Sequence, residues 1–318
     1  MISQRLILPD YLRGIASIGV LAFHFSEHTD FFLNFKFISH GYYWVDLFFI
    51  LSGFLLTSKY SNLTTTSFSF IKKRIIRTWP LLFFSTSIIY IGQLYFNRLL
   101  YSEEILFSYI DHLLYLNSSF IGGIYPFGNT IVWSISAEMF AYIIASAIFK
   151  FNVKRQKLTW VITMLVCLFV LIYFGFTQEL RYGFVRGVFG FSLGAIAFYY
   201  RDLLKIRVTF LLFIIISIIL FQTVELVFGP FLLILFWFLF IKDVFKISNN
   251  NIKKNFILKY IGTRSFSIYV NHPILVYLVL KFNYSIILCF ISIVIWIIYN
   301  EMVFRLIERK NYLKLFTT

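Results

Sequence analysis

The chain has 318 residues, of which 60% are hydrophobic, 22% aromatic and 14% charged, and its mean hydropathy is +0.82. Soluble domains contain about 45–50% apolar and about 25% charged residues, so this composition excludes an ordinary soluble enzyme and a disordered chain. The formal charge of +15 at pH 7 suggests nucleic-acid binding in a soluble protein, but in a membrane protein its placement sets the topology. We therefore predict an integral membrane protein without a nucleic-acid partner.

Runs of about 17–25 mostly apolar residues, the length that crosses a hydrocarbon core, recur along the chain. They predict an all-α, polytopic membrane helix bundle of about ten transmembrane helices, forming a single domain over residues 1–318. In chain order the predicted spans are 12–27, 41–58, 79–97, 130–149, 158–176, 183–200, 206–222, 226–244, 263–280 and 284–304. A further stretch, 104–118, is short and carries Glu104, Asp111 and His112, so we expect an amphipathic helix at the membrane interface.

Lysine and arginine are distributed unevenly between the predicted loops. With the N-terminus inside, the inner segments hold 22 of the 29 cations and the outer segments hold 4, which is a strong positive-inside asymmetry. Counting 104–118 as a span would place the later cationic loops on the opposite side from the early ones. Both termini are therefore predicted to face the cytoplasm. The longest segment outside the membrane, 98–129, has about 32 residues, so no second domain is expected.

Two cysteines, Cys167 and Cys289, each lie inside an apolar run. This number is too small for a disulfide framework, and a zinc site is implausible, so no metal is expected. The first apolar run contains Arg13 and His24 and is not followed by a small-residue cleavage site. A cleaved signal peptide is therefore not expected.

Ionisable residues at membrane depth are costly and by default indicate function. Arg13 and His24 share one face of the first span, with an axial separation of about 16 Å. Asp46 lies near the outer end of the next, antiparallel span, so it could lie at the depth of His24 and complete a general-base arrangement. Glu138 lies nearer mid-membrane, and Arg186 lies close to the outer interface. Each also has a structural interpretation, because arginines reach lipid phosphates and carboxylates pair with arginines.

Five motifs follow one another along the chain. They are the Arg-x10-His pattern of residues 10–25, Val-Asp-Leu-Phe-Phe-Ile-Leu-Ser-Gly-Phe at 45–54, the basic segment 70–80, Trp-Ser-Ile-Ser-Ala-Glu at 133–138, and the segment 261–273, which ends in Tyr-Val-Asn-His-Pro. Together they resemble the acyltransferase 3 family of integral-membrane acyltransferases, in which segment 70–80 looks like the basic loop. The resemblance implies a ten-helix core and transfer of acyl groups, most often acetyl, onto carbohydrates and other cell-envelope molecules. We expect the standalone form, without the extracytoplasmic hydrolase-like domain that some members carry.

The resemblance and the buried charges together suggest a role for each candidate residue. His24 is the expected general base, with Asp46 or Glu138 orienting it, although a transient acyl-histidine is an alternative. A cationic cluster at the cytoplasmic end suits the phosphates of acetyl-CoA. The expected ligands of this acyl donor are Arg13, Lys73, Arg74 and Arg77. The expected acceptor-binding residues are Trp133, Ser134, Arg186, Tyr269 and His272.

The predicted activity is O-acetylation of an O-antigen, capsule or exopolysaccharide at the bacterial cytoplasmic (inner) membrane. The expected partners are the carbohydrate or lipid-linked glycan acceptor, membrane lipids and glycan-assembly proteins. A transporter or flippase of a lipid-linked glycan is the main alternative, because ten helices with buried charges also describe transporters. A non-catalytic scaffold is the second alternative. The acyl group, the acceptor and the position acylated stay open.

Overall fold

The computed structural model describes residues 7–27, 35–62, 66–96, 103–119, 122, 128–174, 183–203, 208–226, 228–244, 255–281 and 286–309. These residues form helices and turns with no strand among them, so the all-α prediction is confirmed. Some of the lysines and arginines that carry the predicted topology lie outside the described residues. They are residues 5, 98, 181, 205, 207, 246, 253, 254, 310 and 314.

Thirteen α-helices account for most of the described chain. They are α1 Ile7–Ser26, α2 Lys36–Ser39, α3 Trp44–Tyr60, α4 Ser67–Phe96, α5 Glu103–Leu113, α6 Val132–Ile148, α7 Val153–Phe174, α8 Gly183–Tyr200, α9 Phe210–Phe221, α10 Gly229–Ile241, α11 Phe256–Thr263, α12 Ser265–Lys281 and α13 Ile286–Val303. A 3₁₀ turn at Gly41–Tyr43 leads into α3, and a π-helical turn at Phe304–Glu308 follows α13.

A helix lies on each of the ten predicted spans, and five helical segments are long and apolar enough to cross a membrane. These five are Gly41–Tyr60, Ser67–Tyr95, Val153–Phe174, Gly183–Tyr200 and Ile287–Glu308. The helices α6, α9, α10 and most of α12 are apolar but shorter, and α1 has 20 residues that include Asp10 and Arg13. The structure supports a multi-pass membrane protein. The count of ten spans and the cytoplasmic position of both ends stay predictions.

The outward faces of the most apolar helices carry large hydrophobic side chains. On α7, Phe169 and Tyr173 are exposed, and on α13 Ile287 and Phe290 are exposed. Apolar surface of this extent is unusual on a soluble monomer. A hydrocarbon solvent accounts for it, because these side chains then face lipid tails.

The chain divides into two compact units, which we describe separately. Unit 1 comprises Met1–Thr64, Ala147–Thr177 and Arg186–Ser265, and unit 2 comprises Thr65–Ser146, Gln178–Val185 and Phe266–Thr318. Unit 1 contains α1–α3, α7, most of α8, and α9–α11. Unit 2 contains α4–α6, α12 and α13.

Helices α3 and α8 approach each other closely in unit 1 because glycines remove side chains from their interface. A Cβ at Gly194 would clash with the Ile50 carbonyl, and a Cβ at Gly53 would clash with the Phe191 carbonyl. Gly190 and Gly194 are four residues apart, the small-xxx-small spacing that favours close helix packing in membranes. Pro230 lies in the first turn of α10, where the missing N–H of proline costs no helical hydrogen bond.

The opposite ends of unit 1 have different polar contacts, and these define the relative directions of its helices. At one end, buried Gln156 at the start of α7 donates to the Ser61 carbonyl after α3 at 3.0 Å and accepts from Tyr199 at the end of α8. At the other end, Arg186 near the start of α8 contacts Asp46 near the start of α3. Helices α3 and α8 therefore run parallel to each other and antiparallel to α7, as the predicted alternation requires.

The segment predicted as a basic loop is helical in unit 2. Residues 70–80 are not a loop but turns of α4, which begins at Ser67 and continues through Pro80. The Ser67 hydroxyl donates to the Ser146 carbonyl at 2.9 Å, so the start of α4 lies beside the end of α6. The basic residues are therefore held on a helix face, one to three turns in from that end.

Helix α5 packs alongside α4 in the opposite direction. Tyr109 pairs with Ser87 at 2.7 Å, and Tyr115, just beyond α5, pairs with Thr78 at 2.8 Å. With 11 residues α5 is about 16 Å long, so it is too short to cross a hydrocarbon core of about 30 Å. This agrees with its exclusion from the predicted spans.

Candidate active site

His24 lies near the end of α1 and has a carboxylate partner one turn further on. Its Nδ1 is 2.7 Å from Oε2 of Glu27, and 28% of the His24 side chain is exposed. A carboxylate oxygen accepts, so Nδ1 carries the proton in this pair and the neutral imidazole keeps its lone pair on Nε2. A carboxylate that holds Nδ1–H of an imidazole is the arrangement that orients a general base.

Asp46 is engaged by an arginine. Arg186 donates from Nε to Oδ1 of Asp46 at 2.8 Å and from an Nη to Oδ2 at 2.5 Å, and both side chains are buried. The guanidinium also lies over the rings of Tyr42 and Tyr43, with centroid distances of 5.7 and 5.2 Å. The structural interpretation of Asp46, pairing with an arginine, is therefore the one realised. Arg186, expected at the acceptor site, is buried in this ion pair.

Glycines bring α1 close to the start of α3. A Cβ at Gly19 would meet the Trp44 ring, and Gly41 lies against the Gly19 carbonyl and Phe23. The carboxylate that contacts His24 is Glu27, whereas Asp46 contacts Arg186. That Asp46 lies at the depth of His24 and orients it stays a prediction.

An aromatic and polar shell surrounds this end of unit 1. The Phe23 ring contacts the His24 ring at 4.8 Å and the Tyr42 ring at 5.3 Å, and Tyr42 contacts His40 at 6.0 Å. His40 lies 3.5 Å from Glu225, which also pairs with Lys36. Burial lowers the pKa of His40.

Arg13 lies at the other end of α1 and interacts with Asp10. The distance from its Nη1 to Oδ1 of Asp10 is 3.7 Å, and the Arg13 side chain is partly exposed. Its expected part in binding the acyl donor stays a prediction.

Unit 2 brings Glu138 together with two of the predicted donor-binding arginines. Arg74 is buried on α4, with its guanidinium 5.7 Å from the Phe70 ring centroid and 6.0 Å from that of Tyr142 on α6. Tyr142 interacts electrostatically with Glu138, Arg74 and Arg77. Lys73 is partly exposed on the neighbouring face. Two arginines and a carboxylate thus lie within one helix pair.

A second polar group in unit 2 joins the start of α6 to α12. The Ser134 hydroxyl is 2.6 Å from that of Tyr269, and the Tyr269 ring centroid is 5.8 Å from that of His272. The Trp133 ring packs against Gly183, at which a Cβ would lie 2.8 Å from the indole. Three of the expected acceptor-binding residues are therefore close together, whereas Trp133 faces the first residue of α8.

Two residues that contact the predicted site residues were not themselves predicted. Glu27 follows His24 by three residues and Tyr142 follows Glu138 by four, and both spacings place side chains on one helix face. That local periodicity could have identified both. Among the described residues, no group of three or more His, Cys, Asp or Glu side chains is arranged to hold a metal ion.

The chain is a multi-pass membrane protein by class: its apolar helices are exposed, and it carries buried charges and an oriented histidine. The family model of the acyltransferase 3 domain matches residues 7–301, so the chain belongs to this family of membrane acyltransferases. No curated protein and no solved structure matches the chain. The match runs through both units.

Proposed function

We propose that the protein is an O-acetyltransferase that moves the acetyl group of cytoplasmic acetyl-CoA onto a hydroxyl of a cell-surface carbohydrate. The carrying observation is the 2.7 Å pair of His24 and Glu27 in a chain that belongs to a family of membrane acyltransferases. O-antigen, capsule or exopolysaccharide is the proposed acceptor class. The proposed location is the bacterial cytoplasmic membrane, alongside glycan-assembly proteins.

In the proposed reaction, Nε2 of His24 removes the proton of the acceptor hydroxyl while the hydroxyl oxygen attacks the thioester carbonyl carbon. The carbon–sulfur bond then breaks, and the CoA thiolate takes up the proton from the imidazolium. The products are the acetyl ester and free CoA thiol, so atoms and charges balance. Glu27 holds Nδ1–H and stabilises the imidazolium that forms, as a carboxylate does in a Ser-His-Asp triad.

The proposed donor site uses Lys73, Arg74 and Arg77 for the phosphates of CoA. Guanidinium groups bind phosphate oxygens in pairs and tolerate partial burial better than ammonium groups. Glu138 acts through Tyr142 to keep these arginines in place. Arg74→Gln should raise the KM for acetyl-CoA about tenfold with a smaller change in kcat, because a charge-assisted hydrogen bond is lost.

The test is transfer of radiolabelled acetyl from acetyl-CoA to the source cell's surface polysaccharide, using purified protein in lipid vesicles. His24→Ala should lower the rate by about 10²–10⁴-fold, and Glu27→Gln should lower it less. His112→Asn, which alters a buried histidine of unit 2, is the control and should retain transfer. Transport of the glycan without dependence on acetyl-CoA would favour the flippase instead.

The same preparation separates direct transfer from an acyl-histidine. Rapid quenching in the absence of acceptor should leave the protein unlabelled if His24 is a base. Label that stays on wild-type protein and is absent from the His24→Ala variant would establish the covalent route.

A further inference from the structure

The short helix α11 of unit 1 leaves three large apolar side chains on its surface. Phe256 is 80% exposed, Ile257 is 65% exposed and Tyr260 is 37% exposed. Arg264, with φ −106° and ψ 4°, ends α11 and separates it from α12. With 8 residues α11 is about 12 Å long, so it cannot itself cross a hydrocarbon core of about 30 Å.

Helical spacing divides α11 into three sides. At about 100° per residue, the three exposed apolar side chains fall within an arc of about 100°. Gly262 lies on the opposite side and is buried against the start of α1, where a Cβ at Gly262 would overlap the Asp10 carbonyl. Lys259 is exposed and lies beside the apolar arc, about 60° from Phe256. One side of α11 thus faces protein, one is apolar and one is cationic.

A second cation is held at the edge of the apolar side. The Arg264 guanidinium lies 3.7 Å from the Tyr260 ring centroid, and its Nη1 donates to the Thr263 hydroxyl at 3.1 Å and to the Tyr260 carbonyl at 3.4 Å. Tyrosine is common at membrane–water interfaces, because its ring is apolar and its hydroxyl remains in water. The Tyr260 ring and its arginine therefore have the composition of a membrane interface.

The sequence around α11 is strongly basic. Residues 244–264 contain five lysines and arginines and no aspartate or glutamate, and they lie on the predicted inner side. A group of four to eight cations beside a membrane span or on an amphipathic helix attracts anionic lipid headgroups. The acidic residue of α1 against which α11 packs, Asp10, is buried and interacts with Arg13 at 3.7 Å. Positive charge therefore borders the apolar side of α11.

We propose that α11 lies in the headgroup region of the bilayer and binds anionic phospholipid. Phe256, Ile257 and Tyr260 enter the boundary between headgroups and acyl chains, and Lys259 contacts the headgroup phosphates. Amphipathic helices bind membranes in this way, through buried apolar area and through attraction to anionic lipid. Because Gly262 packs on the Asp10 backbone, the lipid also holds the start of α1 near the membrane surface. This lipid site goes beyond acetyl transfer and does not depend on it.

The depth of α11 is tested with spin labels on the full chain in vesicles of phosphatidylglycerol and phosphatidylcholine. Cys167→Ala and Cys289→Ala remove the native thiols, and Phe256→Cys, Lys259→Cys and Leu165→Cys each carry one label. Collisions with oxygen, which dissolves in lipid, and with a water-soluble nickel complex report the depth. We expect the label at 256 just below the headgroups, the label at 259 nearer water, and the label at 165, near the middle of α7, deepest. A label at 256 that nickel reaches freely, or that neither reagent reaches, would overturn the proposal, because α11 would then lie in water or against protein.

The preference for anionic lipid is tested by titrating phosphatidylglycerol into the full chain in uncharged detergent and counting bound lipid by native mass spectrometry. Lys259→Gln should raise the Kd for phosphatidylglycerol about fivefold and leave binding of phosphatidylcholine unchanged. Lys154→Gln is the matched control, because Lys154 is also exposed but lies on α7, and it should have little effect. Phe256→Ser removes exposed apolar area, so it should weaken binding of both lipids.

Three results of the lipid titration would overturn the site. Equal effects of Lys259→Gln and Lys154→Gln would reduce the attraction to the general positive charge of the protein. Equal binding of phosphatidylglycerol and phosphatidylcholine by the wild type would remove the preference for anionic lipid. Displacement of phosphatidylglycerol by inorganic phosphate would indicate a site for a free anion instead. Both measurements are made without acetyl transfer, so their failure leaves the proposed function untouched.

Discussion

Removing one partner of the buried ion pair between Asp46 and Arg186 should destabilise unit 1 strongly. The Arg186 and Asp46 side chains are 3% and 1% exposed, so a neutral residue at 46 leaves a guanidinium charge that solvent cannot reach. Breaking such a pair from one side costs about 3–5 kcal/mol. At 1.4 kcal/mol per factor of ten, Asp46→Asn should raise the equilibrium constant for unfolding by about two to three and a half powers of ten.

A double-mutant cycle isolates this pair from other effects of substitution. Unfolding of the wild type, Asp46→Asn, Arg186→Gln and the double variant is followed by a denaturant titration in detergent micelles. The double variant removes both charges, so it should be more stable than the more destabilised single variant, with a coupling of about 1–3 kcal/mol. Additive single effects, or a fully stable Asp46→Asn variant, would refute the inference that the two charges depend on each other.

Other predictions use the same preparations. Gly194→Ala should lower stability by about 1–3 kcal/mol or prevent folding, because its Cβ would meet the Ile50 backbone. Gly92→Ala is the control and should be neutral, because no atom lies within 4 Å of its Cβ. Equal effects of the two substitutions in denaturant titrations would contradict this packing. Burial lowers the pKa of His112 from 6.5, so the unfolded chain binds more protons and stability should fall as pH decreases below 6.5. The unfolding midpoint measured against pH checks this. His112→Gln should make the dependence of that midpoint on pH weaker. Lys36→Ala should leave acetyl-CoA affinity unchanged, because Lys36 pairs with Glu225 at the end of unit 1 that carries His24; a large rise in donor KM would contradict the assignment of the donor site.

The positions of the apolar helices could be predicted because hydropathy is local. Each predicted span contains a helix, and the shortest, such as α9 and α10, differ from the prediction mainly at their ends. Hydropathy does not predict the start of α4, because charged residues end an apolar window without ending a helix. Lysine and arginine are good helix formers, so the backbone continues through Lys72–Arg77 as helix.

The candidate site could be predicted only in part, because partners distant in sequence leave no local pattern. The sequence identified Asp46, Arg186 and His24 as ionisable residues at membrane depth. The contact of Asp46 with Arg186 spans 140 residues, and the register of α1 against α3 depends on Gly19 and Gly41. By contrast, the pair of His24 and Glu27 lies within a single helical turn and was accessible from spacing alone.

The most direct test of the proposed activity is acetyl transfer by the purified protein in vesicles supplied with radiolabelled acetyl-CoA and the source cell's surface polysaccharide. We expect label on the polysaccharide with wild-type protein and a loss of about 10²–10⁴-fold with His24→Ala. Equal labelling by wild type and His24→Ala would contradict the role of His24. Absence of label with a folded wild-type protein would contradict acetyl transfer itself.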